Sequence, residues 1–490
     1  MKILLHPLVI SLFFAGPVLA DSPPESLQVN DPNLRLDAIE SQELYVPVES
    51  GRYRTSSNLS VFSSGNPDQY RLPSMVAIGN DEVLFFAERR PIGVGDFRKQ
   101  DIVMRKLNRE TGYLEAGRVI LHNQDFTHKN YLSSLMNPTT IFDEATNTVH
   151  LFFNSVFHTL TNDIKKVQAY HVTSSDGGTT WSEPAMISEA MGECETSWVG
   201  PGRAVIVNGQ ELTSSSRIIV PMRTGHLESE KSNSCSEVDK VAKGGFYSIL
   251  TEDGGQSWSR AYNTITTGSD KATFGEAQII YHRNNDTTYM ISRIADGSAY
   301  GFDGSGLAYS LDAGSSWNIG FYPNAPYKDN VKVGLTGRFV TPTQSGLSSD
   351  GENLYYTTSV SWETAENDEK LHHRKEAWIH KFNPNDMLSE TDSPVVQVQP
   401  ITKSGFGNVS TQYLGNNRIG ILWEEIKTWQ VDKRIWSIFY TELDTRDFRP
   451  ILDPAWVENG FTYHPTKNGS HHLLNPEINE GDKSGDWNPQ

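Results

Sequence analysis

Cysteine is almost absent from this chain of 490 residues; only Cys194 and Cys235 occur. Two thiols exclude a disulfide-built scaffold. They lie 41 positions apart (235 − 194), and an oxidising compartment leaves both a bridge and two free thiols open. Positive charge is also scarce. Against 60 acidic side chains stand 42 Lys and Arg, a formal net charge of −18, which argues against nucleic acid or an anionic membrane as partner. Beyond the first 20 residues no apolar run approaches the roughly 20 residues of a membrane-crossing helix. HExxH, cysteine pairs at metal spacing, a P-loop and GxGxxG are missing, so no cofactor is expected, although loop carboxylates leave a calcium ion open. Helical periodicity is nearly absent too, which excludes a helical bundle.

What remains is an exported β protein. Residues 1–20 read as a signal peptide, with Lys2, an apolar run through Leu12, Phe13 and Phe14, and the small-residue site Val18-Leu19-Ala20. Cleavage after Ala20 predicts a secreted or periplasmic protein. Residues 21–50 are polar and read as a linker or edge segment, and residues 450–490 as a polar tail. Residues 51–449 carry short β runs with turn signals between them, among them Asp101–Leu107, Thr148–Phe153, Arg217–Arg223, Thr288–Ile294 and Arg418–Trp423. Regular spacing of such runs means a sandwich, barrel or propeller.

A repeat chooses among these architectures. Ser174-Ser175-Asp176-Gly177-Gly178-Thr179-Thr180-Trp181 is echoed at Thr251–Trp258 and again at Ser310–Trp317. The aspartates are 77 and 59 residues apart (253 − 176 and 312 − 253), about one four-stranded blade plus an insertion each time. Each copy reads as a hairpin turn. The Asp accepts backbone N–H groups, Gly permits positive φ and Trp buries a large apolar area. Degenerate copies are expected at Asn108–Leu114 and Asn383–Leu388.

These repeats resemble the Asp boxes of the exo-α-sialidase (neuraminidase) family, over roughly residues 50–445. The resemblance implies an all-β, six-bladed β-propeller. It also implies a site. Arg71, in Tyr70-Arg71-Leu72-Pro73, resembles the family's first arginine; Arg293, in Ile291-Ser292-Arg293, resembles the second; Arg374, in His373-Arg374-Lys375, is the candidate third. Three guanidinium groups would grip the carboxylate of a sugar acid, because each matches a carboxylate fork and stays charged. Arg90 matches an arginine that contacts the sugar ring. Asp96, on the loop Pro91–Arg98, matches the acid/base aspartate that protonates the leaving oxygen. Glu276, in Phe274-Gly275-Glu276-Ala277-Gln278, resembles the buried base of a tyrosine nucleophile. Met136-Asn137-Pro138-Thr139 and Trp198-Val199-Gly200-Pro201-Gly202-Arg203 resemble segments that line the cleft.

The tyrosine departs from the family pattern. Arg418-Ile419-Gly420-Ile421-Leu422-Trp423-Glu424 supplies the strand that should follow it. In the preceding segment, Gly405–Leu414, Phe406 falls nearest the expected place and Tyr413 is the only tyrosine. The nucleophile is therefore Tyr413 or it is lost. The resemblance predicts hydrolysis of terminal α-linked sialic acid, or a related nonulosonic acid, from glycoconjugates by a monomer. A propeller that binds without turnover and a trans-sialidase remain the alternatives.

Overall fold

The computed structural model describes residues 58–65, 67–92, 99–161, 164–187, 196–208, 216–225, 245–265, 273–295, 304–321, 345–361, 375–384, 397–430, 433–450, 463–465 and 471–473. These residues form six antiparallel sheets in a closed ring. Blade I runs outward through Asp68–Ile78, Glu82–Pro91, Asp101–Asn108 and Tyr113–Leu114, with Arg118–Leu121 also on its third strand. Blade II comprises Leu132–Asp143, Thr148–His158, Ile164–Ser174 and Ala185–Met186. In blade III, Thr196–Val199 and Val205–Val207 both pair with Arg217–Gly225, followed by Phe246–Thr251 and Ser259–Arg260. Blade IV holds Thr273–His282, Thr287–Ala295, Gly304–Ser310 and Asn318–Phe321. Blade V holds Gly346–Ser349, Leu354–Ser361, Lys375–Phe382 and Gln397–Gly405.

Blade VI closes the ring. Its strands Val409–Tyr413, Arg418–Gln430 and Lys433–Asp444 are completed on the outside by Leu59–Phe62, from the other end of the chain. Leu59 stands opposite Tyr440. Closure this way removes the free edges that an open sheet would expose. The segment after residue 450, read from sequence as a polar tail, contains a two-stranded hairpin of Tyr463–Pro465 and His471–Leu473.

Apolar side chains hold neighbouring blades together, one cluster at each of the six interfaces. The continuous run Val83–Phe86 shows why the sequence lacks simple alternation. Val83 and Phe85 pack toward blade VI, Leu84 and Phe86 toward blade II, and all four are fully buried. A strand covered on both faces reads as an unbroken apolar run. Burial of a side chain of this size stabilises by about 1.5–3 kcal/mol.

The three Asp boxes are the hairpins between the third and fourth strands of blades II, III and IV. Their geometry repeats almost atom for atom. Asp176 Oδ1 accepts the Thr180 N–H at 2.9 Å, Asp253 Oδ1 accepts Ser257 N–H at 2.9 Å, and Asp312 Oδ1 accepts Ser316 N–H at 2.8 Å. A hydroxyl two residues before each Asp accepts the N–H of the Gly two residues after it, at 2.8–2.9 Å. These carboxylates are spent on their own turns. At Asn108, Oδ1 likewise accepts the Thr111 N–H at 2.8 Å; most of Asn383–Leu388 lies outside the described residues.

Candidate active site

The inner strands are stitched around the axis largely by side chains. Ser74 Oγ meets Thr140 Oγ1 at 2.8 Å and donates to the Gly202 carbonyl. Met75 N–H donates to Ser410 Oγ at 3.2 Å, and Gln278 Nε2 donates to the Val409 carbonyl. Gly202, at φ +111°, leaves no room for a Cβ against the Gln278 side chain. Ser74, Thr140, Gly202, Gln278 and Val409 therefore occupy one level of the ring. Gly202-Arg203 pairs parallel with Thr139-Thr140, as expected of inner strands running in one direction. One to four residues before that level stand Arg71, Asn137, Trp198, Glu276 and Asn408. They share one end of the propeller, and the Asp boxes lie at the other.

Irregular backbone aims these residues. Register shifts interrupt the inner strands between Arg71 and Ser74, between Met136 and Thr139, and between Phe274 and Ala277. Leu72 and Asn137, each followed by proline, adopt φ of +51° and +59°. Left-handed backbone at a residue with a Cβ costs roughly 1–2 kcal/mol, and such costs gather at functional sites. Two fully buried glutamates offset them. Glu424 Oε1 accepts the Leu72 N–H at 2.6 Å, and Glu88 Oε1 accepts the Asn137 N–H at 2.8 Å.

Each of these glutamates also holds an arginine. Arg71 Nε donates to Glu424 Oε1 at 2.8 Å, and the Arg71 guanidinium carbon lies 4.3 Å from the centroid of the Trp436 ring. Salt bridge and stacked ring fix the plane of the guanidinium, whose side chain keeps 18% of its surface open. Arg90 Nε donates to Glu88 Oε2 at 2.9 Å. Arg90 itself is only 2% exposed, at the interface of blades I and II.

Glu276 and Arg293 meet across blade IV. Arg293 Nη1 lies 3.3 and 3.2 Å from the two Glu276 oxygens. Burial alone would raise the Glu276 carboxyl, but Arg293 and then Arg223 outweigh it and hold it at about 2. Arg223 stacks its guanidinium 4.9 Å from the centroid of the Trp198 ring. The result is an ionised, largely buried carboxylate between two guanidinium groups, 14% exposed. Such a set can bind an anionic sugar acid and accept a proton. Asp96 and Arg374 lie outside the described residues, as do Cys194 and Cys235.

The BNR repeat-like domain family matches residues 98–337. Sialidase-4 of Mus musculus is 28% identical over 171 residues, 32% of this chain and 34% of that protein. The match thus spans about a third of that relative's length. Among solved structures, Hadza microbial sialidase Hz136 superposes with a TM-score of 0.54 at 14% identity, over 78% of this chain and 66% of that one. The intramolecular trans-sialidase from Ruminococcus gnavus, solved with oseltamivir carboxylate, gives 0.54 at 16% identity, over 77% and 95%.

The chain is a sialidase-like six-bladed β-propeller. Within it, Tyr413 lies away from the site end, and the Phe406 side chain turns into the core. Tyr413 ends the inner strand of blade VI, its N–H donating to Ser348 Oγ at 2.7 Å and its hydroxyl accepting from Asn417 N–H at 3.2 Å. Phe406 is fully buried in the cluster between blades V and VI, stacked on Trp423 at 6.2 Å. Pairing explains both. Gly407 N–H donates to the Glu424 carbonyl at 2.7 Å and Glu424 N–H to the Asn408 carbonyl at 3.0 Å. The strand that leads into the Gly415 turn therefore enters the propeller at Gly407-Asn408.

Glu88, Arg223 and the role of Glu424 escape sequence reasoning. Glu88 and Glu424 do carry a signal, since each ends an apolar second-strand run, Phe85-Phe86-Ala87 and Ile421-Leu422-Trp423. A carboxylate closing such a run needs a buried partner.

Proposed function

We propose that the protein is a secreted exo-α-sialidase, hydrolysing terminal α-linked sialic acid or a related nonulosonic acid from glycoconjugates. The observation that carries this reading is the pairing of Arg71, anchored by Glu424 and Trp436, with an ionised Glu276 flanked by Arg293 and Arg223, all at one end of the ring. Arg71 and Arg293, joined by Arg374 from the sequence pattern, clamp the substrate carboxylate. Glu276 is the base and Asp96 the acid that protonates the leaving oxygen. Arg90 orients the sugar ring through the pair it forms with Glu88. Export follows from residues 1–20, with cleavage after Ala20.

The test is release of 4-methylumbelliferone from its α-sialoside by purified protein, beside Asp96→Ala. Turnover by wild type that falls at least 100-fold with an unactivated sialoside in Asp96→Ala supports hydrolysis with Asp96 as acid. A sialylated product formed on adding lactose would move the reading to a transferase. Binding of the sugar acid without turnover would make the propeller a lectin-like module.

A further inference from the structure

We propose that the long hairpin of blade VI is a subsite for the leaving group, in which Trp429 and Arg434 receive the neutral sugar to which the sugar acid is joined. This rests on the reading of the site as a sialoside hydrolase, and it makes the substrate an oligosaccharide.

The hairpin outruns the sheet it belongs to. Its strands, Arg418–Gln430 and Lys433–Asp444, are the longest adjacent pair among the described residues, and they stay paired as far as Gln430 and Lys433. On one side the inner strand bonds to it only up to Glu424. On the other, the register of Leu59–Phe62 stops at Ile438. Six residues (430 − 424) continue past Glu424 at the site end, about 15–20 Å of two-stranded ribbon. Such a ribbon is marginally stable alone, so its base must fix it. The base is Trp436, directly opposite Ile426. Its ring stacks on the Arg71 guanidinium at 4.3 Å, and a Cβ on Gly407 would stand 2.8 Å from it. The ribbon is thus rooted on the carboxylate clamp itself.

One extra residue decides which positions rise above that clamp. Pairing passes from Ile426 with Trp436 to Thr428 with Ile435 and then Trp429 with Arg434, which leaves Lys427 out of register. Along a regular strand alternate residues share a face, so Thr428 would follow Glu424 and Ile426. The bulge puts Trp429 there instead, on the face of Glu424 and Trp436, the two groups that hold Arg71. Bulges re-aim side chains in this way beside active sites. Arg434, two residues from Trp436 on its own strand, shares that face, and Thr428 and Ile435 belong to the other.

The chemistry of the leaving group suits this pair. The carboxylate gripped by Arg71 and the departing oxygen are bonded to the same anomeric carbon, so the leaving sugar begins beside the clamp. Trp436 is already occupied there, 4% exposed between Arg71 and Gly407. The next positions on its face are Trp429 and Arg434, about 7 Å farther along the ribbon. An indole covers the C–H face of a pyranose through dispersion and apolar burial. A guanidinium donates N–H groups to sugar hydroxyls, and neither contact needs a charge on the leaving sugar.

The experiment compares kcat/KM for sialyllactose with kcat/KM for α-sialosyl fluoride, whose leaving group is a single atom. Trp429→Ala in the full chain is expected to lower the ratio of the two at least about 10-fold, as loss of a contact tryptophan does. An unchanged ratio overturns the proposal. Thr428→Ala, on the opposite face, is expected to keep the wild-type ratio, and a fall equal to that of Trp429→Ala overturns the placement. Turnover of the fluoride by wild type with none of sialyllactose in either linkage also overturns the subsite and leaves the sialidase reading standing. Silence of wild type toward both substrates overturns the two together.

Discussion

Glu424 accepts the Leu72 N–H at 2.6 Å across the seam between blades VI and I, 352 residues away in sequence. The same relation recurs around the ring. Glu88 of blade I accepts the Asn137 N–H of blade II at 2.8 Å, and Asn154 of blade II accepts the Val199 N–H of blade III at 2.9 Å. Arg223, on the second strand of blade III, acts on Glu276 of blade IV by charge. A polar side chain on one blade's second strand thus fixes the irregular entry of the next inner strand, and the site is built from the seams.

Glu424→Ala is expected to cost about 3–5 kcal/mol, because it strands a largely buried arginine and the Leu72 N–H together. Urea unfolding measures this. Glu424→Gln keeps an acceptor for Leu72 and is expected to cost less, while raising KM for the sialoside more than it lowers kcat. A KM equal to wild type in Glu424→Gln would show that Arg71 needs no charged anchor.

Arg223→Gln removes one of the two guanidinium groups that depress Glu276. In wild type Glu276 stays ionised down to about pH 2, so its protonation does not limit activity at ordinary pH. Without Arg223 its pKa rises toward the carboxylate range, and the acid limb of kcat/KM is expected to move to higher pH. The pH profiles of the two proteins, measured side by side, decide it. An unmoved limb would mean that Arg293 alone sets the charge of Glu276.

His150 and His171 form a buried pair outside the site, with Nδ1 of one 2.9 Å from Nε2 of the other and their rings nearly parallel. Burial lowers His150 to about 4, against a small opposing pull from Asp143; burial and then His150 lower His171 to about 3. Both folded values lie below the unfolded value of about 6.5. The unfolded chain therefore binds more protons as pH falls, and stability is lost between about pH 6.5 and pH 3–4. For His150 alone the full loss is about 3 kcal/mol, at about 1.36 kcal/mol per pKa unit. His150→Gln is expected to flatten the fall of Tm across that window. A Tm that drops as steeply in the variant would place the acid sensitivity elsewhere.

Much of the fold was legible because strand signals are local. Asp101–Leu107, Thr148–Phe153 and Arg418–Trp423 all lie within observed strands, and the Asp boxes announce their own turns. Arg71 and Glu276 were legible as motif positions. The identity of the residue at the entry to blade VI was not, because it depends on a bulge. Counting from Phe406 or Tyr413 cannot reveal that Gly407 and Asn408 share one partner, Glu424, and a shift of one residue turns a strand's side chains to the opposite face. Arg223 was hidden for another reason: it meets Glu276 only after blades III and IV pack.

The Asp boxes should be separable from the chemistry. In each, the glycine two residues after the Asp lies against the preceding blade: Gly178 beside Leu84 and Met104, Gly255 beside His171, Gly314 beside Ile219 and Leu250. Arginine binds two of the boxes, Arg118 donating to Gly178 and Thr179 carbonyls and Arg217 to those of Asp312 and Ala313. Gly314 has φ of +80°, and a Cβ there would sit 2.8 Å from Ile219 Cγ2. Gly314→Ala therefore meets both backbone strain and a packed blade, and is expected to cost at least about 1–2 kcal/mol. Because that seam lies at the end of the ring opposite Arg71 and Glu276, kcat and KM below the melting range are expected to match wild type. A selective rise in KM at unchanged stability would instead tie the box to the substrate side.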